Sequence, residues 1–176
     1  MADHYMNFKV DLNHINKTIE NLNKFSEQYT RCIDDGLDEV AIKTKDKARE
    51  YLASHPSKKS GSLIASDVAD KLEVEEIGWG TERVIRVSSW SDHADFVEFG
   101  TGIVGEENPH PNPEGWEYDV NGHGESGWIY IDKLENKKRW TAGMEARPYI
   151  YPTYLWLKTG QATRILRRNL RGAFRK

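Results

Sequence analysis

The sequence of 176 residues has one cysteine, Cys32, so it can form neither an intrachain disulfide nor a zinc site built from several cysteines. No apolar run approaches the roughly 20 residues that a membrane-spanning helix needs. The first ten residues lack the basic start and apolar stretch of a secretory signal. Six tryptophans and eight tyrosines exclude a wholly disordered chain. We therefore expect one soluble globular domain from a reducing compartment.

The sequence also lacks acidic residues at its C-terminal end. From Lys158 onward it has seven lysines and arginines and no aspartate or glutamate. The other 18 basic residues stand against 28 acidic ones, so the body has a formal net charge of −10 and the tail one of +7. Such blocks usually bind something of opposite sign, either nucleic acid or an acidic face of another subunit.

The first third of the sequence has a helical pattern. Apolar residues recur at steps of three and four from Leu12 to about Ala53, which predicts one long helix or two helices end to end. Asp34-Asp35-Gly36 is the expected site of a kink or break, because glycine costs about 1 kcal/mol relative to alanine inside a helix. Pro56 biases its predecessor away from helical geometry. We therefore assign residues 1–56 to a long N-terminal helical segment.

The following residues, 57–176, are expected to form an α+β core, the whole chain being a single domain. The segment from Leu63 to Leu72 suits a short helix or an extended arm. Leu72 to Trp79 and Arg83 to Trp90 alternate around a glycine-containing turn, which predicts a β-hairpin. His93 to Phe99 predicts a short helix.

The C-terminal half of the sequence begins with many glycines and prolines. Their density predicts a long irregular loop over residues 103–124, and loops of this length are usually functional or disordered. Trp128 to Ile131 predicts a short strand that is apolar on both faces, hence either buried or part of a partner surface. A terminal helix is expected over residues 152–174, interrupted near Thr159-Gly160. The predicted fold class is α+β: a long N-terminal helix, a small antiparallel sheet with a hairpin, and a basic C-terminal helix.

Motifs for catalysis, nucleotides or metals are absent or incomplete. The sequence has no phosphate-binding glycine loop, and its six histidines include no pair at i, i+4 spacing. Gly124 to Trp128 resembles a nucleophile elbow but ends in tryptophan where glycine is required. Asp119 to Gly124 is spaced like the start of a calcium loop, but Tyr130 stands where the closing glutamate should be. Glu98 could transfer protons or be a simply paired carboxylate. We expect no enzymatic activity, cofactor or metal.

A row of arginines is the remaining positive signal. Arg164, Arg167, Arg168, Arg171 and Arg175 lie at i, i+3, i+4, i+7 and i+11, on one stripe of the terminal helix. Three interpretations stay open. The row could be a solvated face that complements the helix dipole, a surface for an acidic protein partner, or a surface for nucleic acid without a known reading motif.

Three strings in chain order look like the signatures of a known family. They are Ser60-Gly61-Ser62-Leu63, like Thr-Gly-x-Leu; His93-Ala94-Asp95-Phe96-Val97-Glu98-Phe99-Gly100-Thr101, like Tyr-Ala-x-x-Val-Glu-x-Gly-Thr; and Ala146-Arg147-Pro148-Tyr149-Ile150-Tyr151-Pro152-Thr153, like Ala-x-Pro-Phe-Leu-x-Pro-Ala. Over about residues 57–160 the chain resembles the Hong-Kong-type tail-completion or head-tail joining proteins of siphophages and related prophages. It departs from these signatures at Ser60, His93, Tyr149 and Thr153. The stretch from 103 to 143 is longer and more aromatic than the family's linker, so its role is not carried over.

The resemblance implies a non-enzymatic neck protein of the virion, assembled in the bacterial cytoplasm, that joins a DNA-filled capsid to a tail. It implies a homo-oligomeric ring, expected to be a hexamer, with head-tail connector or stopper proteins and tail terminator or tail tube proteins as partners. Rings need heterologous contacts, which the opposite charges of body and tail can supply. The alternative is a nucleic-acid-binding accessory protein that uses the arginine row. A third class, a small hydrolase or metalloenzyme, would use Glu98, His93, His110 and His123.

The residues that match the family strings then look structural. They are Gly61, Leu63, Ala94, Glu98, Gly100, Thr101, Pro148 and Pro152. Gly61 and Gly100 would permit tight turns, Pro148 and Pro152 would set the start of the terminal helix at its first position, and Glu98 would accept hydrogen bonds that lock the turn.

Interaction residues are expected on two other segments. Trp116 and Tyr118 would anchor a docking loop that orders on assembly, because aromatic residues dominate interface hot spots. Arg164, Arg167, Arg168 and Arg171 would meet the partner on the terminal helix.

Overall fold

The computed structural model describes residues 12–54, 61–78, 83–119, 127–132 and 136–173. The elements are α1 (Leu12–Ser54), α2 (Gly61–Asp70), β1 (Leu72–Glu76), β2 (Ile85–Ser89), α3 (Ala94–Phe99), α4 (Gly102–Glu107), β3 (Trp128–Asp132), β4 (Lys137–Thr141), α5 (Ile150–Trp156) and α6 (Ala162–Ala173). The fold is α+β, as predicted, and its strands form two separate antiparallel pairs, β1–β2 and β3–β4. No helix in the described ranges has the length and hydropathy to cross a bilayer.

The long helix α1 runs without interruption through Asp34-Asp35-Gly36, so the predicted kink or break is wrong. Gly36 is buried where α6 packs across α1. A Cβ atom there would lie 2.9 Å from Leu166 Cδ2, so the glycine permits close approach of the two helices. Next to this crossing, Arg168 of α6 binds Glu39 of α1. The glycine therefore marks a helix crossing.

The core lies where the C-terminal half of α1 meets α2, β1, α3 and the start of α5. Its buried members are Ala48, Leu52, Ala65, Val68, Leu72, Val97 and Tyr149. The segment from Leu63 to Leu72 was predicted to be either a short helix or an extended arm. The structure has a helix there, which ends at Asp70. Gly61 is the first residue of that helix, a position where glycine is well tolerated. The residues before it, 55–60, lie outside the described residues, so the expected tight turn stays a prediction.

The predicted first hairpin is confirmed. β1 and β2 pair in a register that sets Val74 opposite Val87; its turn, residues 79–82, lies outside the described residues. Arg83, beside that turn, forms ion pairs with Asp34 at 3.2 Å, Asp38 at 2.7 Å and Glu76 at 2.9 Å. The hydrogen bond from Arg83 to Glu76 raises the pKa of the guanidinium above its ordinary value, and the hydrogen bond to Asp38 adds a smaller effect of the same sign. These contacts attach the hairpin to α1.

The C-terminal helical region differs from the expectation at its start. It begins at Ile150, so Pro152 occupies the third helical position and not the first. The predicted interruption is confirmed, because α5 and α6 are joined by a wide turn over Leu157–Gln161 in which Gly160 has φ +86°. Phe174 lies outside the described residues.

Candidate functional site

The carboxylate of Glu98 joins α3 to the start of α5. It is 6% exposed, and its Oε2 accepts hydrogen bonds from the backbone N–H groups of Tyr149 at 2.7 Å and Ile150 at 2.9 Å. Its Oε1 accepts a third from Tyr151 at 2.8 Å. The first N–H groups of a helix have no partner inside the helix. Here one side chain binds three of them, and Pro152 has none to satisfy, which explains why the helix starts before that proline.

Two of the three family-like strings, 93–101 and 146–153, therefore meet in space at this carboxylate. A backbone hydrogen bond from the Arg147 N–H to the Val97 carbonyl, 2.8 Å long, runs alongside. The hydrogen bonds expected of Glu98 are present, but they hold the start of α5 and not the turn at Gly100. About 50 residues separate the partners, so no local pattern in the sequence could have paired them.

His110 completes the group around Glu98. The residue is 4% exposed. Its Nε2 donates to Glu98 Oε1 at 3.1 Å, and its Nδ1 lies 2.8 Å from the Asn112 carbonyl oxygen and 3.0 Å from the Asn112 amide nitrogen. Of the residues considered for a hydrolase or metalloenzyme, the structure brings together only Glu98 and His110. His93 is exposed and immediately precedes α3, and His123 lies outside the described residues. Because both oxygens of Glu98 already accept backbone hydrogen bonds, this pair suits a structural role.

The segment 108–119 packs on its own domain, which corrects the expectation of a free docking loop. Trp116 stacks on Phe99 with ring centroids 4.9 Å apart, and its indole N–H donates to the Gly100 carbonyl at 3.0 Å. The Tyr118 carbonyl accepts from the first amide of α4 at 2.7 Å. Both side chains are half-buried. Trp116 therefore has a ring partner and a hydrogen-bond acceptor within the chain. The Tyr118 hydroxyl is buried and has no hydrogen-bond partner among the described residues.

The start of the expected loop is also more regular than predicted. Residues 102–107 form α4, a helix of six residues that ends before the run of prolines starting at Pro109. The prolines dominate the composition of the whole stretch, which concealed the short helix. The end of the expected loop, residues 120–124, lies outside the described residues.

Trp116→Ala is expected to lower the free energy of unfolding by about 2–4 kcal/mol, because it removes the stacking on Phe99 and the hydrogen bond to Gly100. Urea unfolding followed by circular dichroism measures this change. Trp90→Ala is the matched control. Because the Trp90 side chain is largely exposed, its removal should lower the free energy of unfolding by less than about 1 kcal/mol. Equal midpoints for the two variants would contradict the packing of segment 108–119.

The turn at Gly100-Thr101-Gly102 lies directly against a second stretch of backbone. Thr101 and Met144 exchange two backbone hydrogen bonds, each 2.9 Å long. Gly100 has φ +83°, a region that favours glycine. A Cβ atom on Gly100 would lie 2.7 Å from the Ala146 amide nitrogen and 2.8 Å from the Met144 carbonyl oxygen. The glycine is therefore required both by its dihedral angle and by the close approach.

An exposed apolar face lies on the β3–β4 hairpin. Ile129, Ile131 and Trp140 are 60 to 65% exposed, and Ile129 pairs across the strands with Trp140. The predicted strand at Trp128 to Ile131 is confirmed, and its outward face is exposed, not buried. β4 was not predicted, because Lys137-Lys138-Arg139 contains no apolar alternation.

The helix α6 has a basic outer face. Arg164, Arg167 and Arg171 are exposed and form no ion pair with any described residue. Arg168 differs from them, because with Asn169 it donates hydrogen bonds to Glu39, which hold the pKa of that carboxyl below its usual value. Arg168 therefore holds α6 on α1 and is not free for a partner. We call Arg164, Arg167 and Arg171 the basic face.

A group of acidic residues lies on elements other than α6. Five exposed acidic residues lie on the last turn of α4 and on the segment 108–119, and residues 101 to 132 contain no lysine or arginine. They are Glu106, Glu107, Glu114, Glu117 and Asp119. We call these five residues the acidic segment. One chain thus carries both a basic and an acidic surface, on separate elements.

Among the described residues, no three histidine, cysteine, aspartate or glutamate side chains are grouped so as to hold a metal ion. The chain matches no protein-family model, and no similar curated protein or solved structure was found. The family resemblance therefore remains a hypothesis based on the three strings.

Proposed function

We propose that this protein is a structural neck component of a phage or prophage virion, which assembles into a closed ring and joins the capsid connector to the tail. The observation that carries the proposal is the presence of a basic face and an acidic segment on one chain. Subunits of a ring meet through two different, complementary surfaces. The basic face of one copy would bind the acidic segment of the next.

Charge alone would not hold such a ring together. An exposed ion pair contributes only about 0–1 kcal/mol, so the charged surfaces would set orientation and association rate more than affinity. Apolar contact would come from the exposed face of the β3–β4 hairpin, Ile129, Ile131 and Trp140, since exposed apolar patches mark interaction sites. Connector or tail proteins are the other partners that this face could bind.

Reversal of the basic face tests the proposal. The purified chain is expected to form rings in negative-stain electron microscopy, and the triple variant Arg164→Glu, Arg167→Glu, Arg171→Glu is expected to form none, with an unchanged circular dichroism spectrum. Arg168 is left in place because it stabilises the fold through Glu39. The control variant Lys17→Glu, Lys24→Glu, Arg31→Glu makes the same charge change on exposed residues of α1 and should leave the rings intact.

A charge swap identifies the surface that the basic face meets. Adding Glu106→Lys, Glu107→Lys and Glu114→Lys to the triple variant restores opposite charge between the two surfaces, so rings should return. A parent chain that forms no rings at any concentration, or a triple variant that assembles like the parent, would contradict the proposal. Rings lost in the triple variant and not restored by the swap would exclude the acidic segment as the contact.

Binding of nucleic acid is the second candidate, because exposed arginines also suit phosphate groups. Such binding would weaken steeply with salt through counterion release. The triple variant would then lose DNA affinity, and the charge swap would not restore it. Fluorescence anisotropy with labelled duplex DNA at 50 and 200 mM salt separates the two functions.

A further inference from the structure

The N-terminal half of α1 carries an exposed apolar stripe. All buried residues of α1, which are Gly36, Ala41, Ala48 and Leu52, lie in its C-terminal half. Residues 12–31 continue the helix for roughly 30 Å beyond them, at 1.5 Å per residue. Along this half, six large apolar side chains are 39 to 69% exposed. One of them, Phe25, stacks on Tyr29 at 6.4 Å between ring centroids; the other five share one stripe of the helix: Leu12, Ile15, Ile19, Leu22 and Tyr29. We call these five residues the seam.

The composition of this half does not favour a free helix. It includes Asn13, Asn16, Asn21 and Asn23 within eleven residues, and asparagine ranks among the weaker helix formers. Most helical stability in proteins comes from packing of an apolar face and not from propensity. The seam therefore needs a cover if this half of α1 is to stay helical in water.

We infer that a second copy of this chain covers the seam, through a coiled coil between α1 helices. The steps from Leu12 to Ile15, Ile19 and Leu22 are three, four and three, and Tyr29 follows seven residues after Leu22. These are a and d positions of a heptad, with serine at the intervening a position, Ser26. Helices interlock side chains with this spacing. This inference rests on the proposed function, since it names a surface through which copies of an assembly protein meet.

The positions beside the seam favour a copy of the same helix. The flanking e and g positions hold Asn16, Thr18, Asn23, Phe25 and Thr30, none of them charged. Coiled coils select partners by charges at these positions, so two identical helices meet without repulsion, and a partner with charged flanks gains nothing. Lys17, Glu20, Lys24, Glu27 and Arg31 all lie on the side away from the seam.

The area of the seam is sufficient for association. At the exposed fractions above, its five side chains offer roughly 500 Å² per helix, hence about 1,000 Å² for a pair, which is the lower bound for a specific interface. The remaining surface of the helices adds to this value when the backbones approach.

Sedimentation and circular dichroism of the full chain over 1–100 μM test the inference. In the parent, the mass and the helix signal at 222 nm should rise together with concentration. In the variant Ile19→Gln, Leu22→Gln, association should weaken at least tenfold and the helix signal should stay at its low-concentration value. The control Glu20→Gln, Lys24→Gln introduces the same side chain on the opposite side with no change in net charge, and should behave like the parent.

The outcomes separate this inference from the proposed function. Rings that form equally well in the Ile19→Gln, Leu22→Gln variant, with the helix signal of the parent, would overturn the seam and leave the neck proposal standing. Association that depends on the seam but gives no rings would support the seam and contradict the neck proposal. A parent that stays monomeric with a constant helix signal at every concentration would overturn the seam, and would leave residues 1–11 or another protein as its cover.

Discussion

Glu98→Ala is expected to lower the free energy of unfolding by about 3–5 kcal/mol, the range for removing one member of a buried hydrogen-bonded pair. The substitution leaves the amides of Tyr149, Ile150 and Tyr151 without their acceptor at the start of α5. It also leaves the His110 Nε2 proton without a partner in a buried position. Each unsatisfied buried donor costs about 1–3 kcal/mol, so the loss should far exceed that of an ordinary surface substitution.

Urea unfolding followed by circular dichroism measures this loss. Glu106→Ala is the matched control, because it removes an exposed glutamate of α4 and should change stability by less than about 0.5 kcal/mol. Glu98→Gln should lie between the two, since the amide keeps one acceptor oxygen and turns two N–H donors toward groups that themselves donate. Equal midpoints for Glu98→Ala and Glu106→Ala would refute the role assigned to the carboxylate.

Gly100→Ala is expected to lower the free energy of unfolding by about 3 kcal/mol or more. Alanine at φ +83° is strained by about 1–3 kcal/mol, and its Cβ would also press on backbone atoms of Ala146 and Met144 that cannot rotate away. The backbone hydrogen bonds between Thr101 and Met144 would have to lengthen to make room. Thermal unfolding should therefore show a melting temperature many degrees below that of the parent.

A second glycine of the same conformation separates strain from crowding. Gly115 has φ +79°, and a Cβ there would meet no atom within 4 Å. Gly115→Ala should therefore lower the free energy of unfolding by the dihedral strain alone, about 1–3 kcal/mol, and by less than Gly100→Ala. If Gly100→Ala and Gly115→Ala lower the melting temperature equally, the close approach at Gly100 contributes nothing to stability.

The sequence predicts those elements whose signal is local. The three- and four-residue spacing from Leu12 onward gives the length of α1, and alternation around the turn at 79–82 gives the β1–β2 hairpin. It also indicates the interruption at Gly160, which the structure contains.

The missed elements α4 and β4 were concealed by their local composition, but three wrong predictions depend on partners far along the chain. Gly36 looks like a helix breaker until α6 lies across it. Pro152 looks like the first residue of a helix until Glu98, 54 positions earlier, starts that helix at Ile150. Trp116 looks like an exposed anchor until Phe99 and the Gly100 carbonyl are placed beside it. None of these pairings leaves a periodic trace in the sequence.

The carboxylate of Glu98 also constrains the order in which the chain folds. α5 has seven residues, too few for a helix to persist by itself in water. Its capping group, the Glu98 carboxylate, lies 51 to 53 positions before the three amides that it binds. A large loop must therefore close before the cap can form, and loop closure has an entropic cost. α5 should consequently appear only after α3 is in place.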